Sequence, residues 1–162
     1  MEVLIPDFAG LESSLKEVLK AKPFVINHNL ETISRLYDQV RPEANYQISL
    51  QLLKKCKQIN SEVYTKSGLM VGLGEKVDEV VKVMKDLRNV NCDILTIGQY
   101  LKPSPEHLKV KEFIHPRIFT NYRKIAYSLG FLYVASAPFV RSSYMAKDWL
   151  NSLNHLREKP PN

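Results

Sequence analysis

The chain has 162 residues, 44% of them hydrophobic and 25% charged, with a net charge of +6. That length supports one globular domain with a real core. No apolar run approaches the ~20 residues of a spanning helix, and the N-terminus lacks the basic region and apolar core of a signal segment, so the chain reads as soluble and not secreted. Its lysines and arginines are spread in short clusters such as Lys54-Lys55-Cys56-Lys57, the pattern of solvated helix faces and not of a nucleic-acid patch. Cys56 and Cys92 lie too far apart for a CxxC-type metal site and are too few for a disulfide framework, and they read as buried or idle thiols.

In chain order, Val3-Leu4-Ile5 is a short buried strand ended by Pro6. Leu11, Leu15, Val18 and Leu19 mark one helix face, and Pro23-Phe24-Val25-Ile26 is the next strand. A short helical piece (Ile33, Leu36, Val40) breaks at Arg41-Pro42, and a longer helix follows with Tyr46, Leu50, Leu53 and Ile59 inward. Val63 to Val71 is the third strand, and Val77, Val80, Val81, Met84 and Leu87 stripe the next helix. Asp93 to Ile97 is the fourth strand, running into a loop from Gly98 to Ser104. Pro116 opens a helix whose apolar side is Phe119, Tyr122, Ile125, Ala126 and Leu129, and Gly130 stops it. Phe131 to Ser136 is the fifth strand, and a final helix runs toward Trp149 before a polar terminus.

Strands alternating with 3.6-periodic segments imply parallel βα units. Polar residues gather just past strand C-termini, at Asp7, Asn27 to Glu31, Glu75, Gln99-Tyr100 and Arg141 to Ser143. In a parallel barrel or part-barrel those ends converge on one rim, where ligands are bound. The run Thr65 to Glu75 carries that argument furthest. Its glycines allow close backbone approach and the helix that follows offers unpaired N–H groups, while Glu75 is able to accept hydrogen bonds from hydroxyls or amines. A plain strand-to-helix turn, with Glu75 in the first helical turn for the macrodipole, is the structural alternative.

Five ordered blocks resemble the second half of lipoyl synthase: Glu2 to Phe8, Asn27 to Thr32, Lys66 to Glu75, Asp93 to Leu101, and Val140-Arg141-Ser142-Ser143-Tyr144. Lipoyl synthases are radical S-adenosylmethionine enzymes that insert two sulfurs into an octanoyl group on a carrier-protein lysine, using one [4Fe-4S] cluster to cleave S-adenosylmethionine and an auxiliary cluster as sulfur donor. The resemblance implies an α/β fold, a partial TIM-like (β/α) radical SAM barrel over residues 1–136, with a C-terminal extension over 137–162. Gly68-x-Met70-x-Gly72-x-x-Glu75 is similar to the adenine-contacting GxIxGxxE element, with Met70 in the isoleucine position. Asn29 and Glu31 are implied to face the ribose and methionine portions, and Tyr100 and Leu101 to hand backbone groups to the adenine. Arg41 is a candidate for the methionine carboxylate, with surface solvation as its equal rival. Ser143 resembles the hydroxyl ligand to one iron of the auxiliary cluster, and Arg141 would orient it or bear on the substrate. Without the family, Ser142-Ser143 is an N-cap candidate before the last helix.

The departures from the family are as informative. Its cysteine triplets, CxxxCxxC and CxxxxCxxxxxC, lie upstream of the matched blocks, and neither Cys56 nor Cys92 corresponds to a ligand. One serine does not replace three iron–thiolate bonds. Met1 stands at the edge of the family's third barrel strand, so the chain is expected to be marginal, prone to association, or completed by a complementary N-terminal half. Met145 stands where the family usually has histidine and Ala137 where it has glycine. The implied partner is an octanoylated lipoyl-carrier domain or protein, with no nucleic acid and no membrane. The implied location is cytoplasmic, or mitochondrial or plastid if a targeting segment lies upstream.

Overall fold

The computed structural model describes residues 1–143. Five parallel strands, β1 (Glu2–Leu4), β2 (Val25–Asn27), β3 (Tyr64–Val71), β4 (Ile94–Gln99) and β5 (Tyr133–Ser136), form one sheet in chain order. The connections carry α1 (Glu12–Lys20), the pair α2 (Tyr37–Val40) and α3 (Tyr46–Ile59), α4 (Val77–Asn89) and α5 (Pro116–Ser128). Sequential parallel order with a helix in every crossover is the wall of a (β/α) barrel, here five strands wide. Among the described residues, no helix is long and apolar enough to cross a membrane.

Alternation along the strands sorts side chains onto two faces. One face packs under the helices, where Leu69, Val71, Leu95, Ile97 and Val134 join Leu50, Leu53, Met84 and Phe119 in the main core, and Ile26 joins Leu15, Leu19 and Cys56 in a second cluster. The other face lines the barrel lumen. The pairings Val25 with Tyr64, Lys66 with Ile94, Gly68 with Thr96 and Ile94 with Tyr133 set its rows. At the N-terminal end of the lumen, Val25 and Ile94 are closed in by Phe24, Tyr64 and Tyr133, and the Phe24 and Tyr64 rings stand 5.2 Å apart.

Above that plug lies a layer that composition does not foretell. Lys66 is fully buried, and its Nζ lies 2.9 Å from Glu2 Oε1, which also accepts from Asn27 Nδ2 at 3.2 Å. A buried lysine needs such a partner, because an isolated ammonium in the interior is costly. The pair ties β1 to β3 across β2, so the short edge strand is held by charge as well as by its three-residue ladder.

Several expected positions differ. Gly98 and Gln99 belong to β4 and not to a loop, because β4 stays paired with β3 through Met70 and Val71. Leu4 of β1, expected in a buried strand, is exposed at the sheet edge; Leu11 precedes α1 and is 61% exposed, and Ile59 at the end of α3 and Val77 at the start of α4 also face outward. Val83 takes the buried place on α4, where Val81 is only half-buried. Cys56 and Cys92 are buried as expected, and burial pushes both thiols up to about 12. The final helix toward Trp149, Met145, and most of the 137–162 extension lie outside the described residues.

Candidate cofactor site at the C-terminal rim

Above the Lys66 layer the lumen-facing rows shrink. Gly68 of β3 and Gly98 of β4 add no side chains of their own to the floor, and a cavity of about 320 Å³ opens there. That volume falls in the range of ~300–1,000 Å³ usual for small-molecule sites. Asn29, Glu31, Met70, Thr96, Leu101 and Arg141 line it, with Pro103, Val140 and Ser142 at its edge. A Cβ at Gly68 would stand 2.8 Å from Asn29 Oδ1 and 2.9 Å from Thr96 Oγ1. One at Gly98 would stand 2.1 Å from the Val140 carbonyl oxygen. The glycines therefore admit both the cavity and the chain that crosses it after β5.

The polar wall comes from the end of β2. His28 below it is fully committed: Nδ1–H donates to the Ile5 carbonyl at 2.9 Å, and Nε2 accepts from Ser49 Oγ at 2.9 Å. Burial pushes its pKa below the usual histidine value, so the ring stays neutral. Asn29 follows, and its buried Oδ1 has no hydrogen-bond partner among the described residues. An orphaned buried acceptor on a cavity wall calls for a donor from a ligand or water. Glu31 is held in the left-handed region at φ 65° by its N–H donating to Gly68 O at 2.9 Å and its carbonyl accepting from Met70 N at 2.8 Å. Met70 and Leu101 supply the apolar walls that a flat ring needs.

Other expected site residues have different neighbours. Gly72 and Glu75 do not line the cavity: the Glu75 carboxylate accepts from Gly72 N at 2.5 Å and Leu73 N at 2.9 Å, clasping the turn two residues ahead of α4. That is neither a ligand contact nor a place within the first helical turn. Tyr100 is buried, with its N–H on Val71 O, its hydroxyl on Leu108 O, and its carbonyl accepting from Gln99 Nε2. Arg41 lies in a neighbouring surface hollow, donates to Asn29 O at 2.9 Å, and stacks over the Tyr37 ring at 5.7 Å. It thus braces the Asn29 backbone. Arg141 reaches the cavity but folds back to donate to Val140 O at 2.7 Å. Ser142, and not Ser143, lines the cavity, and Ser143 is exposed.

The roles of Thr96, Lys66 and Glu2 enter only with the structure, and Gln99, expected as a rim polar residue, instead holds the backbone at Tyr100, Glu112 and Ile114. The alternation Tyr64, Lys66, Gly68, Met70 was the available signal for Lys66, since residues two apart share a strand face. A lysine in a strand is ordinarily solvated, and nothing local reveals the Glu2 partner sixty-four positions away.

The Radical SAM superfamily model matches residues 2–87, more than half of the chain. The chain belongs to the radical SAM superfamily. Within it, the chain is 57% identical to a lipoyl synthase of Caldanaerobacter subterraneus subsp. tengcongensis over 146 residues, covering 90% of the chain and 51% of that protein. It is 52% identical to the lipoyl synthase of Caldicellulosiruptor bescii over 158 residues, covering 98% and 54%. With the lipoyl synthase of Vesicomyosocius okutanii the identity is 56% over 147 residues, covering 90% and 47%. These relatives place it in the lipoyl synthase family, and it spans about half the length of each.

The cofactors of the family meet two different fits. The orphaned Asn29 acceptor, the two glycines of the floor and the Met70 and Leu101 walls suit an adenine nucleoside with amine and hydroxyl donors. An iron–sulfur cluster is not suited: no group of three or more histidine, cysteine, aspartate or glutamate side chains able to hold a metal exists among the described residues. Both cysteines are buried thiols away from the cavity.

Proposed function

We propose that this chain forms the cofactor-cradling half of a lipoyl synthase, which inserts two sulfur atoms into a protein-bound octanoyl group to make the lipoyl cofactor. It acts only when joined to polypeptide that carries the cluster cysteines, whether as a separate chain or as part of a longer one. The observation that carries this reading is the glycine-floored cavity with Asn29 Oδ1 unpartnered in its wall.

In that cavity Asn29 accepts from an amine or hydroxyl of S-adenosylmethionine, and Glu31 accepts from paired ribose hydroxyls or an ammonium. Met70 packs against the adenine, and Leu101 covers it from the end of β4. Gly72 and Glu75 shape the turn, Tyr100 holds the loop behind Leu101, and Arg41 steadies Asn29. Bound there, S-adenosylmethionine supplies the radical chemistry of the superfamily. Arg141 at the mouth bears on the substrate. Ser143 is the proposed hydroxyl ligand to an auxiliary cluster held mainly by cysteines from outside this chain, and a cytoplasmic location belongs to the same proposal.

A second reading, a non-catalytic remnant that binds S-adenosylmethionine or an acyl-carrier domain, is favoured by one fact. Both cysteines are protonated, buried thiols. Co-expression with a polypeptide bearing CxxxCxxC and CxxxxCxxxxxC decides between them. Lipoylation of an octanoylated carrier domain by the joined pair, absent for this chain alone, is the expected result. No lipoylation by the pair would leave the remnant reading, and activity or a stable reconstituted cluster from this chain alone would overturn the argument from the cysteines. Calorimetric titration of this chain alone with S-adenosylmethionine is expected to give weak or undetectable binding.

A further inference from the structure

The connection between β4 and α5, residues 100–115, is the longest among the described residues and contains neither helix nor strand. Loops of that length are uncommon and are usually functional or disordered. This one is fastened at Tyr100 and again from Leu108, whose carbonyl accepts from the Tyr100 hydroxyl, to Ile114, the stretch that carries Lys109, Lys111 and Phe113. Tyr100 N donates to Val71 O, and both Lys111 N and Glu112 N donate to Gly72 O at 2.8 and 3.2 Å. Gln99, only 5% exposed, clamps the far end: its Nε2 donates to Glu112 O at 3.0 Å, and its Oε1 accepts from Ile114 N at 2.9 Å. Gly72 is required for this arrangement, because a Cβ there would stand 2.2 Å from Gln99 Nε2 and 2.5 Å from Glu112 O.

The strap is thus fixed in its backbone and open in its side chains. Phe113 is 74% exposed and Leu108 39%, and Lys102, Lys109 and Lys111 all face solvent. Arg117 adds a cation in the first turn of α5, where no acidic residue stands. A cation at a helix N-terminus opposes the macrodipole, so its placement does nothing for the helix. Of the strap's two carboxylates, Glu106 is engaged by Ser104 Oγ. Leu101 and Pro103, where the strap begins, line the cavity mouth.

A rigid backbone presenting an exposed ring and cations lowers the ordering cost of association, the usual obstacle for a loop-built interface. We propose that this strap, with Phe113 as apolar anchor and Lys109, Lys111 and Arg117 around it, docks an acidic protein domain that delivers its acylated lysine past Leu101 into the cavity. The inference rests on the lipoyl synthase reading for the identity of that domain. Single-stranded nucleic acid is disfavoured by the same surface, which offers one exposed ring where stacking platforms use several.

The test is calorimetric titration of the chain with an octanoylated lipoyl-carrier domain at two salt concentrations. The wild type is expected to bind with an affinity that falls as salt rises. The double variant K109E/K111E is expected to weaken binding by at least about tenfold and to flatten the salt dependence, and Phe113→Ser to weaken it several-fold. Both substitutions lie on exposed side chains, so the unfolding midpoint should stay unchanged. Wild-type-like binding by these variants, no binding by the wild type, or equal binding to a DNA oligonucleotide would overturn the inference. The lipoylation assay with the cysteine-bearing half judges the parent reading separately: with the wild type it succeeds if the function is right, whatever the strap variants do in titration, and fails if the function is wrong. Below saturation the strap variants should need more carrier domain for the same rate, and an unchanged requirement would overturn the docking idea alone.

Discussion

The two ends of the lumen are built on the same strands and finished in opposite ways. Along β3 the lumen-facing side chains run from Tyr64 through Lys66 to Gly68 and Met70, from a ring, to a buried charge, to nothing, to a thioether. At the N-terminal end Phe24, Tyr64 and Tyr133 fill the space around Val25 and Ile94; at the C-terminal end Gly68 and Gly98 empty it. One end secures the fold and the other admits a ligand. Parallel barrels divide their labour in this direction because all strand C-termini and their loops share one rim.

Substitutions can separate the two roles, and the largest expected loss lies between them. Lys66→Ala removes a fully buried cation and leaves Glu2 and Asn27 without it. It should cost about 3 kcal/mol by urea denaturation, a little below the usual penalty for breaking a buried pair because Glu2 is partly solvated. A cost near zero would mean that the lumen layer is dispensable. Next comes Phe24→Ala at the plug, expected to cost about 2 kcal/mol, since its ring is only partly buried. Affinity for S-adenosylmethionine in the joined assembly should be unchanged.

The reverse pattern belongs to Gly68→Ala, whose new methyl presses on the movable ends of Asn29 and Thr96. Stability should fall by about 1 kcal/mol, the low end of overpacking costs because the site opens on a cavity, while S-adenosylmethionine affinity drops at least about tenfold. Equal losses in stability for Phe24→Ala and Gly68→Ala, with binding intact in both, would erase the division.

The smallest effect sits outside the lumen, where Arg35 grips Glu79 through two contacts at 2.7 and 2.9 Å and ties the turn at Gly74 to α4. Arg35, with the Lys76 N–H, holds the Glu79 carboxyl down to about 2 from 4.5. A depressed carboxylate contributes stability above its unfolded value and loses it as pH falls through the folded one. The advantage of wild type over Arg35→Gln, small because so exposed a pair is screened by solvent, should be constant above pH 4.5 and fade toward pH 2 in thermal scans.

Much of the fold was legible because the βα alternation is written locally, in apolar runs and 3.6-residue stripes. Apart from Val81, which yields the buried place to Val83 inside α4, the misplacements fall at element ends. Leu11, Ile59 and Val77 fit a helical stripe but stand where a helix has only begun or has finished turning toward its neighbours. Gly98 and Gln99 read as loop because glycine weakens strand propensity, yet β3 supplies their ladder and the cavity requires the missing side chain. At the site, Asn29, Glu31, Met70, Leu101 and Arg141 do converge on one cavity. Glu75, Gly72 and Tyr100 support its frame from behind, a distinction that depends on where a carboxylate or hydroxyl turns and leaves no trace in spacing. Gln99 and Lys66 act through partners brought near by strand register, which the linear order does not display.

Glu31 shows where durability and purpose part company. It keeps a side chain at φ 65°, a conformation that costs a residue other than glycine about 1–2 kcal/mol. Glycine would relax that backbone and keep both of its ladder contacts. Any effort to toughen this protein by ranking positions on conformational comfort would choose Glu31 early and return a sturdier scaffold whose cavity had lost its carboxylate wall.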